Sequence, residues 1–489
     1  MKTQNRPARR LRKKSNYIIS LTNQKYTKFL DSKIKNELIP LQSTGFPGFT
    51  FGTSPEPILD RFSLVQKIIT KNGTITPSLA ILEGKKTSKS WNTNYLSHGW
   101  HRYVGRFPPQ IIRSLLNIFR VMPNDTVLDP FAGSGTTLVE CKLLGINSIG
   151  TEINPLSHLI ANTKTKLDFD GKKILNAWNY VKEEFQSSVS NNSSSRENKF
   201  EIPPFPNMDK WFTKNALEQL TEILTLIESL PSNIQDFLYL AVSAGMRSIG
   251  NVDVDVVRSE YRKTPRENVD VVRILNLKLK RYVEDLETFK KLKIPKSKTK
   301  TYLKDFRKQK FKDESIDFII TSPPYGIESI SYLRTHMLSY RVLQNVLNTS
   351  VDKLKTQMIG TDFVLDCNLK NKKLISKTSK EFLENLPVNT KSTKNRVHQS
   401  IKYFQDMEEV FEKMSSCIKK NCPVVMIIGN KVLLDKTIPT DKIFLEIAKY
   451  YGLNHIKSIP VKLICNNSTS KTPWSHKAIM QENILIFQK

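Results

Sequence analysis

The chain reads as an α/β protein built on one parallel sheet whose sequence is interrupted by a long helical insertion. Three observations predict this. TVLDPFAGSGTTLVECKLLG (Thr126 to Gly145) runs from a β-rich segment through a glycine turn into a helical pattern, and NSIGTEINPLSHL repeats strand and helix directly afterwards. SIDFIIT (Ser315 to Thr321) and PVVMIIG (Pro423 to Gly429) are short, nearly unbroken apolar runs, the pattern of strands covered on both faces.

Taken in order, residues 1–95 show Pro and Gly punctuation around Gly45 to Pro57 and little periodicity, so a basic N-terminal extension is expected. Its first residues, MKTQNRPARRLRKK, suit either an arm on phosphates or a solvated tail; no apolar signal core follows, so secretion is not expected. FPPQIIRSLLNIFR (Phe107 to Arg120) begins with proline and carries apolar residues at helical spacing. The strand, turn, helix, strand and helix that follow, within 96–165, describe a βαβ unit with a right-handed crossover. Residues 166–300 form a mostly helical block, with helices expected at Lys172 to Gln186, Lys214 to Arg247 with a break at Pro231, and Asn268 to Leu292. The polar run SSVSNNSSSRENK (187–199) is expected as a linker. In 301–489 the sheet resumes, with NILIFQK (483–489) as its last strand.

The chain has 489 residues, ample for a large domain with insertions, and 76 Lys and Arg against 46 Asp and Glu give a net charge of +30. Such a surface favours a polyanionic partner. No apolar run approaches the roughly 18 residues of a membrane span, so no membrane partner is expected. Five cysteines (Cys141, Cys367, Cys417, Cys422, Cys465) lack paired spacing, which argues against a zinc site or a disulfide framework and fits a reducing cytoplasm; no metal is expected.

Two loops carry the chemistry. DPFAGSGTT (Asp129 to Thr137) sits at the carboxyl end of a strand, where open α/β sheets bind ligands. Gly133 and Gly135 permit a tight turn and close approach of a ligand, and the following helix start offers free N–H groups to a carboxylate. The Lys of a phosphate-binding Walker loop is missing. Glu152 closes the next strand about twenty residues after Asp129, the spacing at which nucleotide-binding folds set an acid on ribose hydroxyls; the bland alternative is a strand-end acid capping the next helix. TSPPYG (Thr321 to Gly326) follows the apolar strand at 315–321. Its two prolines stiffen the loop, so the Ser322 hydroxyl and the Pro323 carbonyl can accept the two protons of an exocyclic base amine and raise electron density on its nitrogen. Pro324 completes the rigid turn, and Tyr325 offers an aromatic face to a base drawn out of its helix. Asp305, in YLKDF, stands where it could meet a cofactor's adenine amine; a loop acid among lysines is the alternative.

In FPPQIIRSLL, DPFAGSGTT, GTEINP, DFIITSPPYG and, more weakly, IIGN and ENILIF, the chain resembles the amino-group DNA methyltransferases, the N4-cytosine and N6-adenine modification methylases. The resemblance spans about 107–165 and 302–489. It implies a Rossmann-like methyltransferase sheet of seven strands, with a cofactor-binding part in 96–165 and a catalytic part in 301–489. S-adenosylmethionine would lie near Asp129, Phe131, Gly133, Gly135, Thr136 and Glu152, with Phe107 and Pro108 flanking its methionine end and Ile153 on its adenine. A target amine would lie at Ser322, Pro323, Pro324 and Tyr325. Serine in the first position of the tetrad favours cytosine N4 over adenine N6. Double-stranded DNA is the expected partner, with a separately encoded restriction endonuclease as a second, in a bacterial or archaeal cytoplasm. Target recognition is expected in 170–300 or in the basic stretch 341–400. The rivals are an RNA guanine-N2 methyltransferase, which more often has Asp or Asn before the prolines, and a non-catalytic DNA-binding protein, which would have lost the acid, the glycines or the tetrad.

Overall fold

A computed structural model describes residues 93–190, 199–253, 259–327, 330–361, 374–462 and 481–489, with three short strands at 18–21, 65–70 and 73–75. The N-terminal extension and part of the basic stretch 341–400 therefore lie mostly outside the described residues.

Seven strands form the main sheet: β1 (Thr126–Asp129), β2 (Asn147–Glu152), β3 (Thr299–Leu303), β4 (Phe318–Thr321), β5 (Pro423–Gly429), β6 (Asn454–Lys462) and β7 (Gln481–Gln488). Their spatial order is β6, β7, β5, β4, β1, β2, β3. The five strands from β5 to β3 run parallel, and β7 and β6 pair antiparallel at one edge. The order reverses between β1 and β4, which are hydrogen-bonded neighbours despite nearly 200 intervening residues (Val127 opposite Phe318, Leu128 opposite Ile319). Such a switch point leaves a crevice beyond the strand ends.

The period of two along each strand sorts the core into layers. Val425 and Ile427 of β5, with Phe318 and Ile320 of β4, pack on α1 (Pro109–Ile118) through Ile111, Ile112, Leu115 and Leu116. Pro108 is the residue before this helix, and Pro109 its first, where a missing N–H costs no hydrogen bond. Two further helices follow the first two strands, α2 (Thr136–Leu143) and α3 (Pro155–Lys164). Val424, Met426 and Ile428 face the other way.

The segment 166–300 forms α4 (Gly171–Ser190), α5 (Lys214–Glu228), α6 (Ser232–Ile249) and α7 (Val271–Lys291). Pro231 stands between α5 and α6, where the helical pattern broke in sequence. These helices share one apolar cluster with Val139 and Leu143 of α2 and Leu156, Leu159 and Ile160 of α3. Trp100 locks the block to the residues before α1: its ring stacks on Tyr282 at 4.6 Å, its Nε1 donates to Asp285 at 2.9 Å, and the Tyr282 hydroxyl donates to its carbonyl at 3.0 Å. The inserted helices thus share their core with the βαβ unit. On the opposite face α8 (Lys391–Cys417) and α9 (Thr440–Tyr450) cover Val424, Met426 and Ile428 through Phe404, Phe411, Phe444 and Ile447. The end of the basic stretch 341–400 is therefore the start of a helix that packs on the sheet.

Because Phe237 of α6 is fully buried in the cluster shared with α2 and α3, Phe237→Ala should cost about 3–5 kcal/mol. The loss should appear in the same urea transition that unfolds the sheet, with circular dichroism and tryptophan fluorescence coinciding; two separated transitions would show an independent helical block.

Candidate functional site

A cleft of about 1100 Å³, open to solvent, lies at the carboxyl ends of β1, β2 and β4. It is lined by Phe107, Asp129, Phe131, Gly133, Thr136, Glu152, Ile153, Asp305, Ser322 and Pro324. Four other residues singled out in the sequence, Pro108, Gly135, Pro323 and Tyr325, are not part of that lining. Each has another place. Pro108 precedes α1, Gly135 packs behind the loop, and Pro323 and Tyr325 belong to the rigid turn at the cleft's edge.

The two glycines differ in what they do. Gly133 has φ +51° and only distant neighbours, the Phe131 carbonyl and the Tyr103 ring, each at 3.9 Å from a Cβ built there; such a Cβ would enter the cleft. Gly135 has φ +80°, and its Cβ would meet Ala161 of α3 at 2.9 Å. Gly135 therefore lets the turn sit tightly on α3, a packing role rather than the approach to a ligand expected from the sequence. Between them, the buried Ser134 hydroxyl has no hydrogen-bond partner among the described residues and lines the cleft.

Glu152 holds the turn to β2. Its carboxylate accepts from the Gly133 N–H at 2.8 Å and the Asn154 N–H at 2.9 Å. Burial pushes its pKa up to about 7 against the effect of those two bonds. The helix cap is supplied by Asn154, whose side chain accepts from Leu156 and Ser157 N–H groups. Glu152 is thus no ordinary cap, and its remaining lone pairs can accept from a diol.

Asp129 is buried and accepts from the Thr321 hydroxyl at 2.6 Å and the Phe131 N–H at 3.1 Å. Burial raises its pKa, with the bonds from Thr321, Thr137 and Phe131 pulling the other way. Asp305 is held by Arg307, which gives it a backbone N–H at 2.9 Å and guanidinium contacts at 2.6–3.1 Å and also pairs with Asp406. Burial would raise the Asp305 pKa, but the Arg307 guanidinium outweighs it and holds the carboxyl below its usual range.

In the SPPY turn the Pro324 carbonyl is taken by the buried Tyr403 hydroxyl of α8 at 2.8 Å and by the Gly326 N–H at 3.1 Å. Among the described residues none donates to the Pro323 carbonyl. The Tyr325 hydroxyl accepts from Ser322 at 3.3 Å and donates to Glu482 at 3.1 Å. Thr321, Ser134, Tyr403 and Glu482 escaped the sequence reading. Thr321 and Ser134 lie inside the motifs already singled out, whereas Tyr403 and Glu482 reach the turn only through the packing of α8 and the edge pairing of β7.

A family model described as DNA methylase matches residues 2–163. The type II methyltransferase M.MvaI of Kocuria varians is 26% identical over 426 residues, covering 81% of this chain and 92% of that protein. M.BsoBI of Geobacillus stearothermophilus is 24% identical over 490 residues, covering 88% and 92%. M.MjaII of Methanocaldococcus jannaschii is 36% identical over 146 residues, 29% of this chain and 27% of that protein.

The glycines make a paired test. Gly135→Ala combines left-handed strain with a clash and should cost about 2–5 kcal/mol, whereas Gly133→Ala carries only the strain, about 1–2 kcal/mol. Urea denaturation of the two variants should separate them in that order, and equal losses would contradict the packing role of Gly135.

Proposed function

We propose that this chain, which belongs to the amino-group DNA methyltransferase family, transfers a methyl group from S-adenosylmethionine to the exocyclic N4 amine of a cytosine in double-stranded DNA. One observation carries the reading: the glycine turn and the SPPY turn leave neighbouring parallel strands and open on one cleft, with the Asp129 to Thr321 hydrogen bond between them.

The residues on the cofactor side fit such a molecule. Gly133 leaves space that a side chain would fill, the unpartnered Ser134 hydroxyl and the start of α2 can meet a carboxylate, and Glu152 can accept from ribose hydroxyls. Phe107 and Ile153 supply apolar walls, and Asp305 lines the cleft where an adenine amine would be met. When bound, S-adenosylmethionine supplies an electrophilic methyl on a sulfonium.

The chain's own task is to make a conjugated amine nucleophilic. Tyr403 fixes the turn through the Pro324 carbonyl, leaving the Pro323 carbonyl and the Ser322 oxygen as acceptors for the two amine protons. The Tyr325 ring, anchored by its hydroxyl, is the stacking face for a base drawn from the duplex. A serine rather than an acidic or amide side chain at the head of the tetrad supports cytosine. The net charge of +30 supports a polyanion as substrate. Target reading is assigned to 170–300 and the basic stretch 341–400. A separately encoded restriction endonuclease and a place in the cytoplasm of a bacterium or archaeon belong to the same reading; no helix among the described residues is long and apolar enough to cross a membrane.

Sequencing that reads modified bases, applied to DNA from cells expressing the chain, should find N4-methylcytosine at one short recurring sequence. N6-methyladenine there would shift the target to adenine, and DNA without any new modified base would overturn the proposal. Cofactor binding should also depend on pH. Ribose hydroxyls donate to the ionised Glu152, so affinity is full above its pKa of about 7 and falls as pH drops through it, by up to about tenfold per unit. Calorimetry with S-adenosylhomocysteine from pH 8 to 5.5 should show this slope in the wild type and a flatter one in Glu152→Gln.

A further inference from the structure

We infer that Glu482 is the terminal acceptor of a proton line that starts at the target amine and passes through Ser322 and Tyr325. The inference rests on the amine-methylation reading above and adds to it a residue outside both motifs.

The direction of the hydrogen bonds carries the argument. Glu482 lies near the start of β7, opposite Gly429 at the end of β5, so the antiparallel edge pairing brings it to the sheet end from which the SPPY turn leaves. An ionised carboxylate can only accept. The Tyr325 hydroxyl therefore donates to Glu482 at 3.1 Å, which turns its own oxygen lone pairs towards Ser322. Ser322 spends its one proton on Tyr325 at 3.3 Å. Its lone pairs are then left for the cleft, which Ser322 lines, and an amine there meets an acceptor rather than a donor. If the far end of the line were a donor, all three bonds would reverse and Ser322 would present its proton to the amine, lowering the nucleophilicity the reaction needs.

The same line has somewhere to send a proton. As the amine lone pair forms its bond to the methyl carbon, the carbon–sulfur bond breaks with its electron pair staying on sulfur, and positive charge collects on nitrogen. One N–H bond then breaks, its electrons returning to nitrogen. The proton passes to the Ser322 oxygen, the Ser322 proton to the Tyr325 oxygen, and the Tyr325 proton to the Glu482 carboxylate, which becomes the neutral acid and later releases it to solvent. Burial raises the Glu482 pKa, more than the bond from Tyr325 lowers it, so it is a stronger base than an exposed carboxylate. No Lys or Arg among the described residues pairs with it to offset this.

Glu482→Gln separates proton acceptance from mere anchoring of the Tyr325 ring, because the amide oxygen still accepts from the hydroxyl but cannot take a proton. With the full-length chain, labelled S-adenosylmethionine and unmodified bulk genomic DNA, Glu482→Gln should lower kcat by about a hundredfold with KM for DNA unchanged. Tyr325→Phe keeps the ring and breaks the line, and should give a similar loss. The double variant should be no worse than the poorer single one. A readout free of cofactor is infrared difference spectroscopy, in which a carboxyl band absent from Glu482→Gln should shift in Tyr325→Phe. Wild-type kcat in Glu482→Gln, multiplicative losses in the double variant, or a band indifferent to Tyr325→Phe would each overturn the line while leaving methyl transfer standing. A wild-type chain that transfers no methyl group to DNA would overturn both.

Discussion

The 2.6 Å hydrogen bond from the Thr321 hydroxyl to Asp129 joins the two halves of the site. It ties the last residue of β1 to the last residue of β4, and each strand runs straight into one of the two chemistry-bearing turns. Through its bond to the Phe131 N–H, the same carboxylate also sets the first step of the glycine turn. A side chain buried in this way has to be satisfied by its neighbours. Asp129 meets that demand with groups from both turns, so their separation cannot drift without leaving a buried carboxylate short of partners. The bond couples folding to the geometry of the site: the parallel pairing that builds the sheet also sets the distance between the glycine turn and the SPPY turn.

That coupling depends on the layers. Alternation along β4 and β5 sends neighbouring residues to opposite faces, where α1 covers one side and α8 with α9 the other. Both layers also touch the chemistry. Phe107, two residues before α1, stands in the cleft wall, and α8 contributes Tyr403, whose hydroxyl fixes the Pro324 carbonyl from behind. The helices of the insertion share a core with α2 and α3, which carry the glycine turn and its packing surface at Ala161. The same cluster takes in Leu333 and Leu338, a few residues past the SPPY turn, and Ser243 of α6 donates to Ser339, so the insertion packs against the segments that flank both turns.

Much of this was legible in the sequence because it is local. A strand, a glycine turn and a helix announce themselves within twenty residues, so Asp129, Gly133 and Glu152 could be set at strand ends, and Ser322 likewise. Pro231 marked its helix break, since a proline ring cannot continue a helix. Illegible were the contacts that exist only after distant segments pair. Thr321 and Asp129 are 192 residues apart and Tyr325 and Glu482 157, and nothing in ENILIF says which strand it joins. Strands β3 and β6, and the role of α8 as a cover for the sheet, were missed for a related reason. TKTYL is polar and short, NHIKSIPVK lies at an edge, and α8 starts inside the basic stretch that was expected to read the target. The distinction between Gly133 and Gly135 was also hidden, because it turns on Ala161 of a different helix.

The acids of the site divide by the kind of donor each one meets. Glu140 of α2, outside the cleft lining, is held by Arg113, His98 and Tyr95; burial works against its charge, but Arg113 and the other donors outweigh it and its pKa falls. Asp305 is treated similarly by Arg307. Glu152 and Glu482 meet only N–H and O–H donors, and in both burial prevails and the pKa rises. A carboxylate neutralised by arginine gains little from a further weak donor, since its charge is already balanced. One buried against hydroxyls and amides is under-compensated, and each additional donor stabilises it strongly. In the proposed reading Glu152 gains from ribose hydroxyls and Glu482 from a proton, while the charges of Glu140 and Asp305 are balanced by Arg113 and Arg307.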